Sequence, residues 1–462
     1  MRVPGVRRGR LPVLGRPGPG HAGRPAQSVQ ESEAPESQRP AARLRSIEGA
    51  AARRQRGRPL AWRQGRLVVT ATAPVEAAPP AEAHAANEPL GLGLYVHVPF
   101  CDAICTYCNF TRGLFDATLV RRYVEAVIAE IAAAPTARAA DTIYFGGGTP
   151  SVLEPEDVKR ILDACRSSRE VGADAEITME ANPESATAAR LDGYRAAGVT
   201  RLSLGVQSFR DAELALLGRL HTSRGARDAI DRARHAGFDD LSLDLMMWLP
   251  GQTVDAWLES VDALIALAPD HVSLYLLEVY PNAPLRDEMV RTASTQAPDD
   301  VAAEMYLAAL GRLDEAGFRQ YEISNVARPG HRSRHNLKHW ADGSWVGFGP
   351  GAHSTLGADR WSNIPDAEAY VARLEAGEDP TQARQRRSAA DQASEALFMG
   401  LRLADGVDLA AVEKRHAIDV RARYGEALRP FVDGGQLVDE GDRLRLTREG
   451  MLLANEVMAV FV

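Results

Sequence analysis

Six short apolar segments alternate with amphipathic helical patterns between residues 91 and 330, and no other feature constrains the fold as much. Strand–helix repeats of this kind form a parallel sheet whose crossover helices cover its faces. The sequence therefore predicts an α/β domain over 89–330, built as a doubly wound sheet or as a full or partial barrel. The predicted strands are 92–98, 141–147, 176–182, 200–206, 239–245 and 271–277, and the clearest helical patterns are 119–134, 154–168, 222–237 and 253–268.

Residues 1–88 differ in composition from the rest and have no sustained apolar period. The first 70 residues hold 15 Arg, no Lys and four acidic residues, whereas the remaining chain holds 39 basic and 58 acidic residues. A segment so rich in Arg, Pro, Gly and Ala buries no core, so we predict a disordered tail, or an upstream stretch outside the true reading frame. The alternatives are a transit peptide and a basic arm attracted to RNA or to a membrane surface.

The globular part is acidic and lacks a basic stripe, so we expect no nucleic-acid partner. No apolar run reaches the roughly 18 residues that would predict a membrane span. Four cysteines in 462 residues do not make a disulfide framework. Their scarcity indicates reduced thiols and a cytoplasmic protein.

A second domain is predicted over residues 331–462, where the alternation stops. The stretch "RHNLKHWADGSWVGFGPGAHS" (334–354) is predicted as a loop rich in glycine and aromatic residues. Helical patterns follow residue 388, and then a β-hairpin in "QLVDEGDRLRLT" and a final helix, which is a winged-helix-like order. A winged helix suggests DNA binding by analogy alone, and the acidic balance argues against it.

Chemically distinctive residues stand at the ends of the predicted strands. The first strand runs into a cysteine-containing loop and the second into Gly146–Thr149. Later strands end at or carry Glu180 with Asn182, Gln207 and Asp244. Because the carboxyl ends of parallel strands lie at one edge of a sheet or barrel, these residues are predicted to form one site.

Three of the four cysteines, Cys101, Cys105 and Cys108, lie within eight residues, and Cys165 is remote. A structural zinc site needs four protein ligands, and the candidates for the fourth are His97 and a residue distant in the sequence. A 4Fe-4S cluster normally takes four thiolates, so three would leave one iron open to an exchangeable ligand. The residues alone leave both sites open.

The Cys-x3-Cys-x2-Cys spacing after a first strand, with Tyr107 before the last cysteine, resembles the radical S-adenosylmethionine (SAM) superfamily. "GGGTP" (146–150) resembles its glycine-rich SAM motif, in which free backbone N–H groups can bind a carboxylate. Further segments resemble the oxygen-independent coproporphyrinogen oxidase-like, or HemN-like, group from about residue 91 to the C-terminus: "LYVHVPFCDAICTYCNF", "EANPES", "RLSLGVQSF", "LGRLHT", "SLDLMMWLPGQT", "RHNLKHW" and "GFGPGAHS".

This resemblance implies a partial (β/α)6 barrel, a three-cysteine 4Fe-4S cluster with SAM on its open iron, and a mainly helical C-terminal domain. Carried over motif by motif, it also implies a set of SAM-contacting residues. These are Tyr95, Tyr107, Gly147, Gly148, Thr149, Glu180, Gln207, Arg219 and Asp244. The alternatives for two of them are a surface ion pair for Arg219 and a helix cap for Asp244.

Phe110 separates two activities within the group. The coproporphyrinogen oxidases carry a fourth cysteine at this place, whereas phenylalanine is typical of the related HemW family of heme chaperones. The motif from His335 to Trp340 is also typical of that family, although Tyr is more common there than His339. The resemblance thus implies a heme chaperone, with an oxygen-independent coproporphyrinogen III dehydrogenase or a zinc-stabilised interaction protein as the alternative.

Heme is the third cofactor that the resemblance implies. Imidazole is an ordinary axial ligand of heme iron, and Trp340 offers a stacking face. If the segment is helical, His335 and His339 share one face, so we predict heme contact at both, with His353 as a further candidate. The alternative is that they pack the interface between the two domains. The implied partners are a heme-accepting protein of respiration, an electron donor such as flavodoxin or ferredoxin, and a transiently contacted membrane.

Overall fold

The computed structural model describes residues 91–134 and 138–462. The predicted tail, 1–88, lies outside these residues. The strands are β1 (Leu92–Val98), β2 (Phe100–Cys101), β3 (Gly113–Leu114), β4 (Ala140–Gly147), β5 (Val171–Ala181), β6 (Arg201–Gln207), β7 (Asp240–Met247), β8 (His271–Leu276), β9 (Arg319–Glu322), β10 (Asn325–Ala327), β11 (Ser344–Phe348), β12 (His353–Leu356), β13 (Asp359–Asn363), β14 (Thr381–Arg386), β15 (Val407–Asp408), β16 (Leu437–Asp439) and β17 (Arg443–Leu446).

The α-helices follow in the same order along the chain. They are α1 (Ala117–Ala132), α2 (Pro155–Ser168), α3 (Ala188–Ala197), α4 (Asp211–Leu216), α5 (Ser223–His235), α6 (Val254–Ala266), α7 (Pro284–Thr292), α8 (Asp299–Glu315), α9 (Arg334–Trp340), α10 (Ala367–Glu375), α11 (Ala389–Gly400), α12 (Leu409–His416), α13 (Val420–Asp433), α14 (Arg448–Met451) and α15 (Ala454–Met458). Within the described ranges, no helix is long and apolar enough to cross a membrane.

Strands β1, β4, β5, β6, β7 and β8 pair in parallel, in that order, with helices between them. They correspond to the six predicted strands, and the partial (β/α)6 barrel is confirmed. Their outward side chains, such as Val96 and Phe145, are fully buried against the covering helices. Strands of a parallel sheet are covered on both faces, which explains the nearly continuous apolar runs in the sequence.

The segment 334–354 is not the predicted loop. It forms α9 and then β11, which pairs in parallel with β1, so that Leu94 faces Val346. The short strand was not predicted because "SWVGF" lies among glycines, which are also typical of turns. Strands β12, β13 and β14 continue the same sheet in antiparallel order as far as Arg386. The boundary predicted at residue 330 stays a prediction.

A second, smaller core lies beyond residue 396, where Leu397, Tyr424 and Leu446 are buried together. Helices α11, α12 and α13 pack beside the three-stranded sheet β15-β17-β16. The predicted hairpin is present as β16 and β17, with Val438 opposite Arg445. The mainly helical, winged-helix-like C-terminal fold is therefore confirmed.

Candidate cofactor site

The cysteine loop leaves β1 at the C-terminal edge of the barrel and carries three free thiols. Cys101 is buried, whereas Cys105 and Cys108 are half-buried. Two other barrel loops hold the segment between them, because the Thr106 N–H donates to the Leu217 carbonyl over 3.2 Å and the Thr106 carbonyl accepts from Leu285 N over 2.9 Å. The loop is thus fixed by the connections that follow β6 and β8.

The thiols fit a positively charged inorganic group. Burial raises the pKa of Cys101 and of Cys108, and the neighbouring thiolates raise both pKa values further. The Arg112 guanidinium lowers them, and a hydrogen bond from Thr149 lowers that of Cys101. A bound metal replaces the thiol protons, and its positive charge offsets the repulsion between the resulting thiolates.

The zinc alternative has weaker geometric support. His97, its candidate fourth ligand, uses both ring nitrogens elsewhere: Nε2 donates to the Thr111 carbonyl over 2.8 Å, and Nδ1 lies 3.1 Å from the Tyr95 hydroxyl. Among the described residues, no three His, Cys, Asp or Glu side chains are grouped to hold one metal ion. A four-iron cluster presents a separate iron to each thiolate, so its ligands need not converge on one point.

The backbone N–H groups of the glycine-rich segment after β4 are not free, as the sequence suggested, but already donate hydrogen bonds. Gly147 N donates to Glu180 Oε2 over 3.3 Å, and Gly148 N and Thr149 N donate to the Val98 and Phe100 carbonyls, each over 2.8 Å. A Cβ on Gly148 would lie 2.7 Å from the Phe100 oxygen. The glycines therefore allow the backbone to pack directly against the start of the cysteine loop.

Glu180 lies inside the barrel at the end of β5. Its carboxylate accepts from the Tyr144 hydroxyl over 2.7 Å and lies close to the Tyr95 ring. Burial raises the pKa of Glu180 to about 7, and Asp244 adds to the rise. Asp244 itself is held on β7 by the Ser203 hydroxyl, 3.3 Å away, so it is not a helix cap. Two carboxyl groups thus lie inside the same end of the barrel.

Arg219 and Gln207 complete this end of the barrel. Arg219 donates to Asn182 Oδ1 over 2.5 Å, to the Gly205 carbonyl over 2.8 Å and to Cys105 Sγ over 3.4 Å, so it is not a surface ion pair. Gln207 has a left-handed φ of 64°, which positions its side chain where a regular strand would not. Its Oε1 is buried without a partner, as is Arg219 Nε, and both are suited to a polar ligand.

Tyr107 lies among apolar residues beside the cysteines. Burial raises its pKa, while Arg219 lowers it through charge and a hydrogen bond. Phe110 is 64% exposed, so the side chain at the fourth-cysteine position does not fill the core. Seven of the nine predicted SAM residues therefore come from the C-terminal ends of strands or the loops beyond them, whereas Tyr95 and Asp244 lie within β1 and β7.

The predicted heme residue His335 lies inside the barrel, at the end opposite the cysteine loop. This end, lined by His335, Thr142, Tyr144 and Glu176, is called the floor of the barrel. The first turn of α9 is anchored there because Glu176 accepts the N–H groups of Arg334 and His335 over 2.7 and 3.0 Å. His335 is 1% exposed, and its Nδ1 lies 2.9 Å from Thr142 Oγ1. Its Nε2 is buried with no partner, and its ring stacks on Tyr144 at 5.1 Å.

His339 occupies a more accessible position one turn later. It is half-buried, and its ring meets the Trp345 ring edge-on, with centroids 4.3 Å apart. Burial lowers the pKa of His339 to about 4. Trp340, expected to offer a stacking face, instead has the Arg402 guanidinium over its ring at 4.3 Å. His353 is exposed.

Several residues that shape these sites received no role from the sequence. Tyr144 and Thr142 lie on the inner face of β4 at period two, and that alternation was the available signal. Asn182 was placed at a strand end without a function. Arg112, which donates to the Cys108 carbonyl and to the Phe110 carbonyl, gave no signal beyond its proximity in the sequence.

Comparison with known proteins assigns the family. A Radical SAM superfamily model matches residues 95–264, and a HemN C-terminal domain model matches 388–453. A heme chaperone HemW from Bacillus subtilis is 33% identical over 372 residues, covering 80% of this chain and 98% of that one. A heme chaperone HemW from Mycobacterium tuberculosis is 38% identical, covering 79% and 93%. The chain belongs to the HemW family.

Membership of the HemW family confirms the resemblance found in the sequence. The Radical SAM superfamily match implies a 4Fe-4S cluster and SAM. Among solved structures, coproporphyrinogen III oxidase (HemN) from Escherichia coli superposes with a TM-score of 0.72 at 22% identity, over 81% of this chain and 90% of that one. At that identity the likeness shows the fold alone.

Proposed function

We propose that this HemW-family protein is a heme chaperone that binds heme and passes it to an acceptor protein. Cys101, Cys105 and Cys108 would hold the 4Fe-4S cluster, and the nine predicted SAM residues would hold SAM. When bound, the cluster supplies an electron and an open iron for SAM. The chain's own part is to orient the ligands and to exclude water.

Gln207 and Arg219 have the clearest part in this proposal. Their buried Oε1 and Nε atoms lack partners, and a zwitterionic ligand such as SAM would offer both a donor and an acceptor. Tyr95, Glu180 and Asp244 would line the same ligand from the inner faces of their strands. An electron donor such as flavodoxin or ferredoxin would approach the cysteine loop from outside, where Phe110 and Leu114 are exposed.

One observation carries the heme part of the proposal: the unpartnered Nε2 of His335 inside an aromatic floor. Iron-bound histidines usually donate their other ring N–H to a fixed partner, and Thr142 is in place to accept it at 2.9 Å. Burial keeps the pKa of His335 well below its usual value, so the ring stays neutral, which is the form that binds iron. The stacked Tyr144 ring adds an apolar surface of the kind a porphyrin needs.

His335 is 1% exposed, so heme loading at this ligand requires α9 to shift away from the floor. His339 needs a smaller shift because it is half-buried at the edge of the same helix. The two ligands therefore predict different kinetics: slow, gated heme association at His335 and fast association at His339.

The test is a heme titration of the anaerobically reconstituted protein, followed in the Soret band, for wild type, His335→Ala, His339→Ala and His353→Ala. We expect saturable binding that is lost in His335→Ala and kept in His353→Ala, where the ring is exposed. Coproporphyrinogen is supplied in a parallel assay. SAM-dependent decarboxylation without heme binding would replace the chaperone with the dehydrogenase alternative.

A further inference from the structure

Three side chains form a hydrogen-bonded bridge between two of the three loop cysteines. Thr149 Oγ1 donates to Cys101 Sγ over 3.4 Å, and Asn182 Nδ2 donates to Thr149 Oγ1 over 3.1 Å. On the other side, Arg219 donates to Asn182 Oδ1 over 2.5 Å and to Cys105 Sγ over 3.4 Å. The Thr149–Asn182–Arg219 bridge thus ends on a sulfur at each side.

The chemistry of the groups fixes the direction of every bond in this bridge. A guanidinium has donors and no acceptor, so Asn182 must present its carbonyl oxygen to Arg219. The amide NH2 then faces Thr149 and donates to its hydroxyl oxygen. The hydroxyl hydrogen is left for Cys101. Both ends of the bridge therefore point an N–H or O–H at sulfur.

The surroundings keep the bridge in one arrangement. Thr149 is 4% exposed and Cys101 is 6% exposed, so water does not replace their contact. Gly205 leaves room beside the amide, because a Cβ there would lie 3.3 Å from Asn182 Oδ1 and 3.5 Å from the Arg219 guanidinium. Asn182 touches neither sulfur, yet it bonds to both donors.

We propose that Asn182 is a positioning residue that holds both donors on the sulfurs and so raises the reduction potential of the cluster. The inference rests on the proposed cluster at the three cysteines. Reduction adds negative charge to a cluster and its thiolates, and hydrogen bonds to sulfur stabilise that more negative state. Groups that orient such donors tune a metal site without touching it.

The test is a potentiometric titration of the full chain, reconstituted anaerobically and followed by EPR, for wild type, Asn182→Leu, Thr149→Val and the double variant. At the midpoint potential of the wild type, the ratio of reduced to oxidised cluster in Asn182→Leu should be at least threefold lower than in the wild type. For a one-electron couple that is about 28 mV, since tenfold is about 59 mV. Thr149→Val should lower the reduction potential by less than Asn182→Leu does.

The double variant tests whether Thr149 acts on the potential through Asn182 or independently of it. If Thr149 reaches Cys101 because Asn182 holds it, Thr149→Val should add nothing to Asn182→Leu, whereas independent residues would add. Ser185→Ala is the matched control, since the Ser185 hydroxyl donates to the backbone carbonyl of Asn182 over 3.0 Å and lies outside the bridge. Its potential should equal that of wild type.

Iron and sulfide are counted in every sample, so the two proposals fail differently. No cluster in the wild type overturns the proposed function. A full cluster with an unchanged potential in Asn182→Leu, or with additive shifts in the double variant, overturns the bridge alone. If Asn182→Leu does not hold a cluster, Thr149→Val is compared with Thr149→Ser, which keeps the hydroxyl. Equal potentials in that pair also overturn the bridge.

Discussion

The two ends of the barrel favour different charge states of their ligand side chains. At the cysteine end, Arg219 and the Thr149 hydroxyl donate to sulfur, which favours negatively charged thiolates. At the floor, burial lowers the pKa values of His335 and His339, which keeps both rings neutral. Thiolates and neutral imidazoles are ligands for different iron groups. We therefore propose that one barrel serves two iron groups, with Tyr144 between them: its hydroxyl donates to Glu180 and its ring stacks on His335.

Replacing one loop cysteine should abolish cluster binding and leave the floor of the barrel unchanged. We expect Cys105→Ala to lose the iron, the sulfide and the visible absorption of the cluster, because the remaining two thiolates cannot fill its sites. Cys165→Ala is the matched control, since that thiol is fully buried in α2. Iron analysis after anaerobic reconstitution checks both. Retention of a full cluster in Cys105→Ala would contradict the assigned ligands.

Removing a buried charge partner should loosen the floor. Lys338 of α9 is 0% exposed and bonds to Asp141, 2.7 Å away, and to the Gly91 carbonyl. Asp141→Ala removes the ion-pair partner of this buried ammonium, so we expect the free energy of unfolding to fall by about 3 kcal/mol in urea titration. The exposed pair Arg122–Glu375 is the control, where Glu375→Ala should cost less than about 1 kcal/mol. Equal costs would contradict the role of burial.

A pH dependence of stability should arise at Glu130, a buried carboxyl group of α1. Burial raises the pKa of Glu130 to about 7, although Tyr370, Gly349 and Asn363 donate to it. The folded state binds this proton more tightly than the unfolded state does. The contribution of Glu130 to stability is thus present below its ordinary pKa of 4.5 and lost as pH rises through about 7, by at most about 1.4 kcal/mol per pH unit.

Urea unfolding of the apoprotein at a series of pH values checks this expectation. Glu130→Gln should flatten the decline in stability between pH 4.5 and about 7. Glu125→Gln, on the exposed face of the same helix, should leave it unchanged. A profile that is identical in wild type and Glu130→Gln would contradict the buried-acid account.

The cysteine end was largely predictable from sequence because it is built from local spacing and strand ends. Three cysteines in one loop and a polar residue after each strand place the groups without any knowledge of packing. What the sequence did not give was how the groups bond: the N–H groups of Gly148 and Thr149 are used by the backbone. Hydrogen-bond partners depend on register between strands, which composition does not encode.

The floor was harder to predict because its parts are far apart in sequence. His335 meets Thr142 and Glu176, more than 150 residues earlier, through a short helix that was predicted as loop. Strand β11 was missed because glycines flank its five residues. Short elements that are stabilised by tertiary contacts carry too little periodic signal to stand out.

Heme binding by a protein without the three loop cysteines tests the two-ended barrel most directly. The variant Cys101→Ala/Cys105→Ala/Cys108→Ala is titrated with ferric heme beside the wild type, and the iron ligand is determined by EPR. Our account predicts one imidazole-ligated heme per chain in both proteins, because the floor does not depend on the cluster. Loss of heme binding with the cysteines, or a thiolate signature in the wild type, would place heme at the cysteine end and contradict it.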